Sequence, residues 1–374
     1  MVRRVLPLVV VGLLAACAAQ PPAEDAATGA PVADEGGSPT ATEEAPTPTP
    51  TPQGPAEITL AFAGDVHFEN HLRPLLGDSD EVWADRLPTL AAADFAMLNL
   101  ETALTEGGSP MNKPYTFRAS PVALERLAAA GIDAVSLANN HAADYGRQGV
   151  EDTLAAIENS PIPVLGFGAN EDAAYAPLTV DVGGVNVGVL ASMEVWEETY
   201  ANWSAGPDSP GVAQNIDKER FTRAAREAAQ AHDLVVAFQH WGTEGSYCPN
   251  ERQVETVQQL TDAGVDIIVG THAHRPQASG WKGDVFVGYG TGNFIWYNSS
   301  TESRSSGVLT LTVDAEAARS GDATGSLVTD YEWSPMVISA RTGLPEPATQ
   351  SLPRLESLMS DAIACADLAQ SPPS

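Results

Sequence analysis

Residues of the types that bind metal ions recur in this sequence directly after its apolar runs. The segments concerned are Gly64-Asp65-Val66-His67, Asn99-Leu100-Glu101, Asn139-Asn140-His141, His240-Trp241-Gly242 and Gly270-Thr271-His272-Ala273-His274. They hold five of the seven histidines in the chain. Imidazole suits Zn, Fe or Mn, and a carboxylate can neutralise or bridge two ions. The pattern therefore predicts a divalent metal site assembled from distant parts of the chain.

Each of these segments also has an ordinary structural explanation when taken alone. An Asn-His pair in a loop usually caps a helix or faces solvent, a Gly-Asp after a strand is usually a turn, and an isolated His-x-His seldom binds a metal. Five such segments at successive strand ends favour the metal site, because ligands in open α/β sheets bind beyond the carboxyl ends of the strands.

Short apolar runs separated by helical patterns must position these segments. The spacing predicts strands over residues 57–63, 94–98, 133–137, 186–190, 234–238, 266–269 and 285–287, with further strands within 307–313 and 327–339. It predicts helices over residues 122–130, 217–231, 251–263 and 354–366. This alternation indicates an α/β fold with at least partly parallel sheets.

Two stretches share one design. Ala130-Gly131-Ile132-Asp133 and Ala263-Gly264-Val265-Asp266 each end a predicted helix and begin a predicted strand, which then leads into a segment with histidine. The match suggests two similar halves, although it is short enough to be coincidental.

The N-terminal region has the features of an export signal. Residues 1–17 contain two arginines, an apolar run of about twelve residues and the sequence Leu14-Ala15-Ala16-Cys17, which resembles a bacterial lipobox. The run is shorter than the roughly 20 residues of a spanning helix. We expect Cys17 to be lipidated and to anchor the protein to the outer side of the bacterial membrane; the alternative is an ordinary cleaved signal.

The remaining chain divides by composition into three parts. Residues 18–56 are acidic, rich in Pro and Thr and without apolar periodicity, which predicts a disordered stalk. Residues 57–366 are expected to form the folded domain, and residues 367–374 a disordered tail. Export to an oxidising compartment predicts a disulfide between Cys248 and Cys365, with two free thiols as the alternative.

Net charge excludes one class of function. The chain has 49 acidic and 19 basic side chains, a formal net charge of −30. Nucleic-acid binding requires a basic surface, so no nucleic-acid partner is expected. Membrane attachment must depend on the lipid, since anionic headgroups repel a chain this acidic.

The metal-type segments resemble the metallo-dependent phosphatase superfamily and, within it, the CapA family of poly-γ-glutamate capsule synthesis proteins. His240-Trp241-Gly242-Thr243-Glu244, Lys113-Pro114-Tyr115-Thr116-Phe117 and Gly292-Asn293-Phe294 extend the resemblance, which covers about residues 57–300. It implies a four-layer α-β-β-α sandwich with two mixed sheets, and two divalent ions (Mn, Zn or Fe) at the strand ends.

The resemblance also implies residue roles. Asp65, His67 and His274 would bind one ion, Asn140, His240 and His272 the other, and Glu101 would take the place of the usual bridging Asp. His141 would protonate the leaving group during in-line attack by an activated water. Substrate would contact Asn99, Lys113, Tyr115, Arg118, Glu244 and Asn293.

Two departures from the superfamily pattern affect these roles. Asn99-Leu100-Glu101 replaces the usual Gly-Asp-x-x-Asp, and a longer Glu could change the metal separation or leave one ion. No acidic residue is identified after His141, so its support is expected from elsewhere in the chain.

Two functions remain open from the sequence. One is a metal-dependent hydrolase acting on a phosphoester or on the amide bonds of an anionic polymer. The other is a non-catalytic accessory subunit that works with a polymer synthase or export complex. The acidity of the chain argues against capture of polyglutamate by charge alone, unless bound metals or arginines supply local positive charge.

Overall fold

The computed structural model of the protein describes residues 54–297 and 300–373. The predicted signal segment, Cys17 and the stalk up to residue 53 lie outside the described residues. Within the described ranges, no helix combines the length and the apolar character that crossing a bilayer requires.

Strands make up most of the regular structure. They are β1 (Glu57–Val66), β2 (Phe95–Leu100), β3 (Ala103–Leu104), β4 (Arg118–Ala119), β5 (Ala134–Ser136), β6 (Val164–Leu165), β7 (Phe167–Gly168), β8 (Leu178–Val182), β9 (Val185–Met193), β10 (Gly211–Val212), β11 (Leu234–Trp241), β12 (Ile267–His272), β13 (Ser279–Lys282), β14 (Val285–Gly288), β15 (Asn293–Ile295), β16 (Ser305–Asp314), β17 (Val328–Ile338) and β18 (Pro345–Pro347).

The helices lie between these strands. A 3₁₀-helix spans Asn70–Gly77, and the α-helices are α1 (Asp80–Ala84), α2 (Pro88–Ala91), α3 (Val122–Ala129), α4 (Gly146–Glu158), α5 (Glu171–Ala174), α6 (Glu198–Trp203), α7 (Glu219–Ala231), α8 (Glu251–Thr261), α9 (Ala315–Ser320) and α10 (Leu352–Ala364). Every strand and helix predicted from the sequence has a counterpart here, with ends that differ by a few residues.

Two mixed sheets form the centre of the domain. The first has the order β18-β17-β16-β1-β2-β5-β6, with β15 also paired to β1, and the second has the order β13-β14-β12-β11-β9-β8. The inner pairs β1–β2, β2–β5, β9–β11 and β11–β12 are parallel, whereas β16 and β17 run antiparallel at one side of the first sheet.

Three apolar cores separate the layers. One lies between the sheets and includes Phe62 and Met97 of the first sheet with Val236 of the second. Helices cover the outer faces: Leu127 of α3 belongs to the core on the first sheet, and Phe221 of α7 to that on the second. The predicted α-β-β-α sandwich with two mixed sheets is confirmed.

One aspartate sets the start of each inner parallel strand. Asp266, directly before β12, donates its N–H to the carbonyl of Val235 at 3.0 Å and accepts the N–H of Val235 on its carboxylate at 2.8 Å. The residues that make this double contact with the preceding parallel strand are Asp94, Asp133, Asp233 and Asp266. Because a slip of one residue would break both bonds, the carboxylates help to fix the strand register.

The two stretches with a shared sequence design also share a structure. Gly131 and Gly264 adopt φ angles of 81° and 89°, in the left-handed region that favours glycine at a helix end. Asp133 and Asp266 follow two residues later with equivalent backbone contacts.

Gly64 allows two backbones to meet beside the first metal-type residue. A Cβ at this position would lie 1.7 Å from the carbonyl oxygen of Gly292, so only glycine fits. The N–H of Asp65 then bonds to that carbonyl at 3.0 Å, and an irregularity of the β1–β2 register falls between Phe62 and Asp65. The carboxylate of Asp65 is thereby fixed at the end of β1.

Both ends of the predicted domain extend further than expected. Pro55 accepts a hydrogen bond from Arg319 at 3.0 Å, although the sequence places it in the disordered stalk. The prediction of a disordered tail from residue 367 is wrong for the described residues, because Ala369 exchanges backbone hydrogen bonds with Trp281 at the edge of the second sheet. Composition does not reveal pairing of this kind, since the bonds come from backbone groups.

Cys248 and Cys365 form a disulfide.

We expect Asp266 to make the stability of the domain depend on pH. Burial raises the pKa of Asp266 to about 6, against the opposing effect of the Val235 N–H. The folded state then holds the proton more tightly than the unfolded state, so stability present at pH 4 is lost as the pH rises through 6. Asp266→Asn should lack this loss, roughly 1 to 3 kcal/mol in urea unfolding between pH 4 and 7.

Asp233→Asn is the matched control, because Asp233 makes the same contact with Asn186 from an exposed position. If the free energy of unfolding changed with pH by the same amount in the wild type and in Asp266→Asn, the role assigned to burial would be contradicted.

Candidate metal centre

The predicted segments meet at the carboxyl ends of the inner parallel strands. Asp65 ends β1, Glu101 follows β2, His141 follows β5, His240 lies near the end of β11 and His272 ends β12. All five side chains are buried, with Asp65 and Glu101 at 0% exposure. Strand order therefore brings together residues that lie more than 200 positions apart in the sequence.

Three overlapping groups have ligand atoms within 4.8 Å of one another. They are Asp65 with Glu101 and His274, Glu101 with His240 and His272, and Glu244 with His272 and His274. Glu101 belongs to the first two groups, which is the position of a bridging carboxylate. Asn140 adds an amide oxygen, 2.8 Å from Nε2 of His240.

The spacing around Glu101 suits a metal ion better than hydrogen bonding. Its Oε1 lies 3.7, 3.8 and 3.9 Å from Nε2 of His141, His240 and His274. Two donors bonded to one ion at about 2.1 Å each lie about 3 to 4 Å apart. Neither carboxylate oxygen of Glu101 has a hydrogen-bond partner among the described residues, and Nδ1 of His272 is also unpaired and buried. The donor set fits a divalent ion.

The protonation states of these groups also favour a bound divalent ion. Burial, with smaller effects from neighbouring histidines, holds the pKa of His240 and His272 well below the usual range. Burial and the charge of Asp65 raise the pKa of Glu101 well above its usual range. Neutral imidazoles offer lone pairs, and a carboxylate that is costly to ionise without a cation is stabilised by one.

Hydrogen bonds fix the orientation of the individual ligands. The Asp65 carboxylate accepts a hydrogen bond from Nδ2 of Asn99 at 2.9 Å, and its other oxygen lies 3.0 Å from Nδ1 of His274. A carboxylate only accepts, so Nδ1 of His274 carries the proton and Nε2 keeps its lone pair towards Glu101. In His240, Nδ1 lies 2.9 Å from the hydroxyl of Thr271 and 3.2 Å from Nδ2 of Asn99, and Nε2 lies 2.8 Å from Oδ1 of Asn140. Such outer contacts orient metal-binding imidazoles.

His67 differs from the other histidines. Its Nδ1 accepts the backbone N–H of Glu69 at 3.1 Å, so the neutral ring carries its proton on Nε2. The ring stacks on Phe117 and meets Trp296 and Tyr297 edge-on. It belongs to none of the three ligand groups found in the described residues. The Nε2 atom is buried and has no hydrogen-bond partner among the described residues, so the ligand role that the resemblance implies stays a prediction.

Support for His141 comes from Asp144, three residues later, which the sequence analysis missed. Nδ1 of His141 lies 2.6 Å from Oδ2 of Asp144. Asp144 also accepts the Phe117 N–H at 2.7 Å and pairs with Lys113 at 2.9 Å. Burial raises the pKa of Asp144 to about 7, against the opposing charge of Lys113. The signal was present as the spacing His141-Ala142-Ala143-Asp144, one turn along the chain.

The residues predicted to contact substrate lie in different places. Tyr115, 65% exposed, and Glu244 line an open pocket of about 320 Å³ beside His141 and His274. Asn99 and Asn293 are fully buried.

Two further residues of that set lie away from the pocket surface. The Lys113 side chain is 3% exposed and contacts Asp144, Glu197 and the carbonyl of Asn140. Arg118 stacks over Tyr145 and lines a separate cavity. Of the six, Tyr115 and Glu244 are therefore the ones that line the pocket at the metal-type residues.

Comparison with known proteins identifies one family. A family model described as bacterial capsule synthesis protein PGA_cap matches residues 59–298. The PGA biosynthesis protein CapA of Bacillus subtilis (strain 168) is 28% identical over 257 residues, covering 67% of each chain. The capsule biosynthesis protein CapA of Bacillus anthracis is 26% identical, covering 68% of this chain and 63% of that one.

A probable polyglutamine synthesis accessory protein of Mycobacterium tuberculosis (strain ATCC 25618 / H37Rv) is 32% identical over 214 residues. That match covers 54% of this chain and 56% of the relative. The matched region thus spans about two thirds or less of the length of these relatives.

We expect His67→Gln to retain more bound metal than His274→Gln, because His67 lies outside the three ligand groups of the described residues and its Nδ1 accepts the Glu69 N–H. His274→Gln should lose at least about tenfold in metal affinity. Metal content after dialysis against Mn or Zn, measured by mass spectrometry with folding checked by circular dichroism, separates the two variants. An equal loss of metal in both variants would indicate that His67 is a ligand.

Proposed function

The chain belongs to the PGA_cap family of bacterial capsule synthesis proteins, and from this premise we propose that it takes part in the synthesis or processing of poly-γ-glutamate through a metal-dependent hydrolase-type site. The observation that supports the site most strongly is the buried group of carboxylates and imidazoles around Glu101, whose oxygens are unpaired within the described part of the chain. The names of the Bacillus relatives support the polymer.

A divalent metal bound by Asp65, Glu101, His240, His272 and His274, with Asn140 as a further donor, would lower the pKa of a water and stabilise charge that develops in the reaction. The residues of the chain hold the rest of the arrangement. Tyr115 and Trp296 form walls of the pocket, and Arg275 supplies positive charge there. An amide or phosphoester group entering this pocket would lie beside His141.

We assign the proton transfer of this proposed reaction to His141. Its Nδ1 contacts Asp144, while Nε2 faces the site, 3.7 Å from Glu101. Burial, with the charge of Lys113, holds the pKa of His141 well below its usual range, so the ring is neutral before substrate binds. An anionic group bound beside it acts in the opposite direction and favours the protonated ring that a leaving group requires.

An accessory role without turnover is the second candidate. The relative from Mycobacterium tuberculosis carries the word accessory in its name, and the chain is strongly acidic. In that role the same site would bind carboxylates of the polymer while a synthase or export subunit acts on it. A phosphoesterase outside capsule synthesis is the remaining alternative, and the site chemistry alone accommodates it.

Turnover assays separate these functions. We expect the protein loaded with Mn or Zn to cleave poly-γ-glutamate or a chromogenic phosphodiester, and His141→Ala to reduce that rate by about 10²- to 10⁴-fold while metal is retained. His71→Ala, at an exposed histidine, is the control. Metal binding with no cleavage of either substrate would favour the accessory role, and an unchanged rate in His141→Ala would contradict the acid role.

We also propose that the protein is held at the outer face of the membrane through a lipid on Cys17. Acyl chains would supply the attachment that an acidic protein cannot obtain by charge. Cys17→Ser should move the protein from the membrane fraction to the soluble fraction, as detected by immunoblot. An unchanged membrane fraction would exclude the lipid anchor.

A further inference from the structure

An exposed carboxylate faces the metal centre from the pocket. The Glu244 carboxylate lies within 4.8 Å of ligand atoms of His272 and His274, and it is exposed, whereas Asp65 and Glu101 are fully buried. A second observation at this centre is that Nδ1 of His272 is buried and has no hydrogen-bond partner among the described residues.

The backbone of the loop that carries Glu244 is tied to the segment that carries both histidines. Gly245 donates its N–H to the carbonyl of Ala273 at 2.8 Å. Gln277 donates to the carbonyls of Ser246 and Cys248 at 3.0 and 3.1 Å, and Cys248 is joined to α10 by the disulfide. The position of the Glu244 backbone relative to the histidines is therefore set by the fold, while its side chain is exposed.

Glu244 stands between two pockets. It lines the pocket beside His141 and also the neighbouring one formed by Trp196, Arg252 and residues near them. Glu244 therefore borders both pockets next to the metal-type residues. Catalytic metal sites keep one coordination position for water or substrate, and this is the side on which the centre is open.

The third ligand group shares both of its histidines with the groups around Glu101: His272 belongs to one of those groups and His274 to the other. Glu244 would therefore add a ligand to the centre that the deeper residues form. Its negative charge also reaches Glu101, where it contributes to the raised pKa.

We propose that Glu244 coordinates the metal centre from the pocket side and is displaced when an anionic group of the substrate enters. The inference rests on the metal centre of the proposed function and assigns the entrance position to a residue of this chain. It predicts opposite effects on two ligands: removal of the carboxylate weakens metal binding and strengthens anion binding to the loaded centre.

The test uses calorimetric titration of the metal-free protein with Mn²⁺, followed by titration of the loaded protein with inorganic phosphate. Glu244→Gln should weaken Mn²⁺ binding by about tenfold or more and tighten phosphate binding several-fold. Glu302→Gln, which removes an exposed carboxylate close to pocket residue Ser303, should change both affinities by less than about twofold.

The outcomes separate this inference from the proposed site. Wild-type Mn²⁺ affinity in Glu244→Gln, together with loss of Mn²⁺ binding in Glu101→Gln, would overturn the role of Glu244 and leave the metal centre intact. Weaker binding of both Mn²⁺ and phosphate in Glu244→Gln would overturn displacement by the anion. Failure of the wild-type protein to bind Mn²⁺ or Zn²⁺ would overturn both the inference and the metal-dependent function.

Discussion

The buried charge of Glu101 is the constraint on which the site depends. A carboxylate at 0% exposure, with neither oxygen hydrogen-bonded within the described residues, is costly unless a cation accompanies it. The neighbouring histidines are held neutral by burial, so they cannot serve as that cation. Lys113 lies close enough to lower the pKa of Glu101, but its ammonium is already engaged by Asp144 and Glu197. A divalent ion satisfies Glu101 and the unpaired imidazole nitrogens together.

The two sheets hold these groups in place through one hydrogen-bonding contact that recurs at the start of each inner parallel strand. Each inner parallel strand begins at an aspartate that makes two hydrogen bonds with the neighbouring strand. Asp133 bonds in this way to Ala96, and Asp266 bonds to Val235. With the register fixed at the amino ends, the carboxyl ends reach defined positions, and the side chains that follow them converge. At the opposite end of β1, the contact between Gly64 and Gly292 fixes Asp65 against β15. The site is therefore positioned by backbone pairing before any ligand binds.

Periodicity and residue type predicted an α/β fold with partly parallel sheets, because strands and their polar ends leave a regular pattern in the sequence, whereas the four-layer sandwich was implied by the family resemblance. They were insufficient where a side chain's role depends on which atom faces which neighbour. The backbone N–H of Glu69 sets the tautomer of His67, and this contact has no sequence signal. Asp144 lies one turn after His141, and a motif that expects the acidic residue directly next to the histidine does not recognise it. The pairing of Ala369 with Trp281 uses backbone groups, so the composition of the tail could not indicate it.

The protein is acidic as a whole, but its metal centre would be locally positive with ions bound. Asp65 and Glu101 place two negative charges among neutral imidazoles, so two divalent ions would leave the deep part of the site positive, in a protein whose formal charge is −30. If the substrate is an anionic polymer, such a surface would repel it except at this point, which would favour local engagement over adsorption along the chain. The exposed carboxylate of Glu244 at the pocket moderates that attraction. Because it must be displaced, a group that binds metal well gains entry, whereas one that offers charge alone does not.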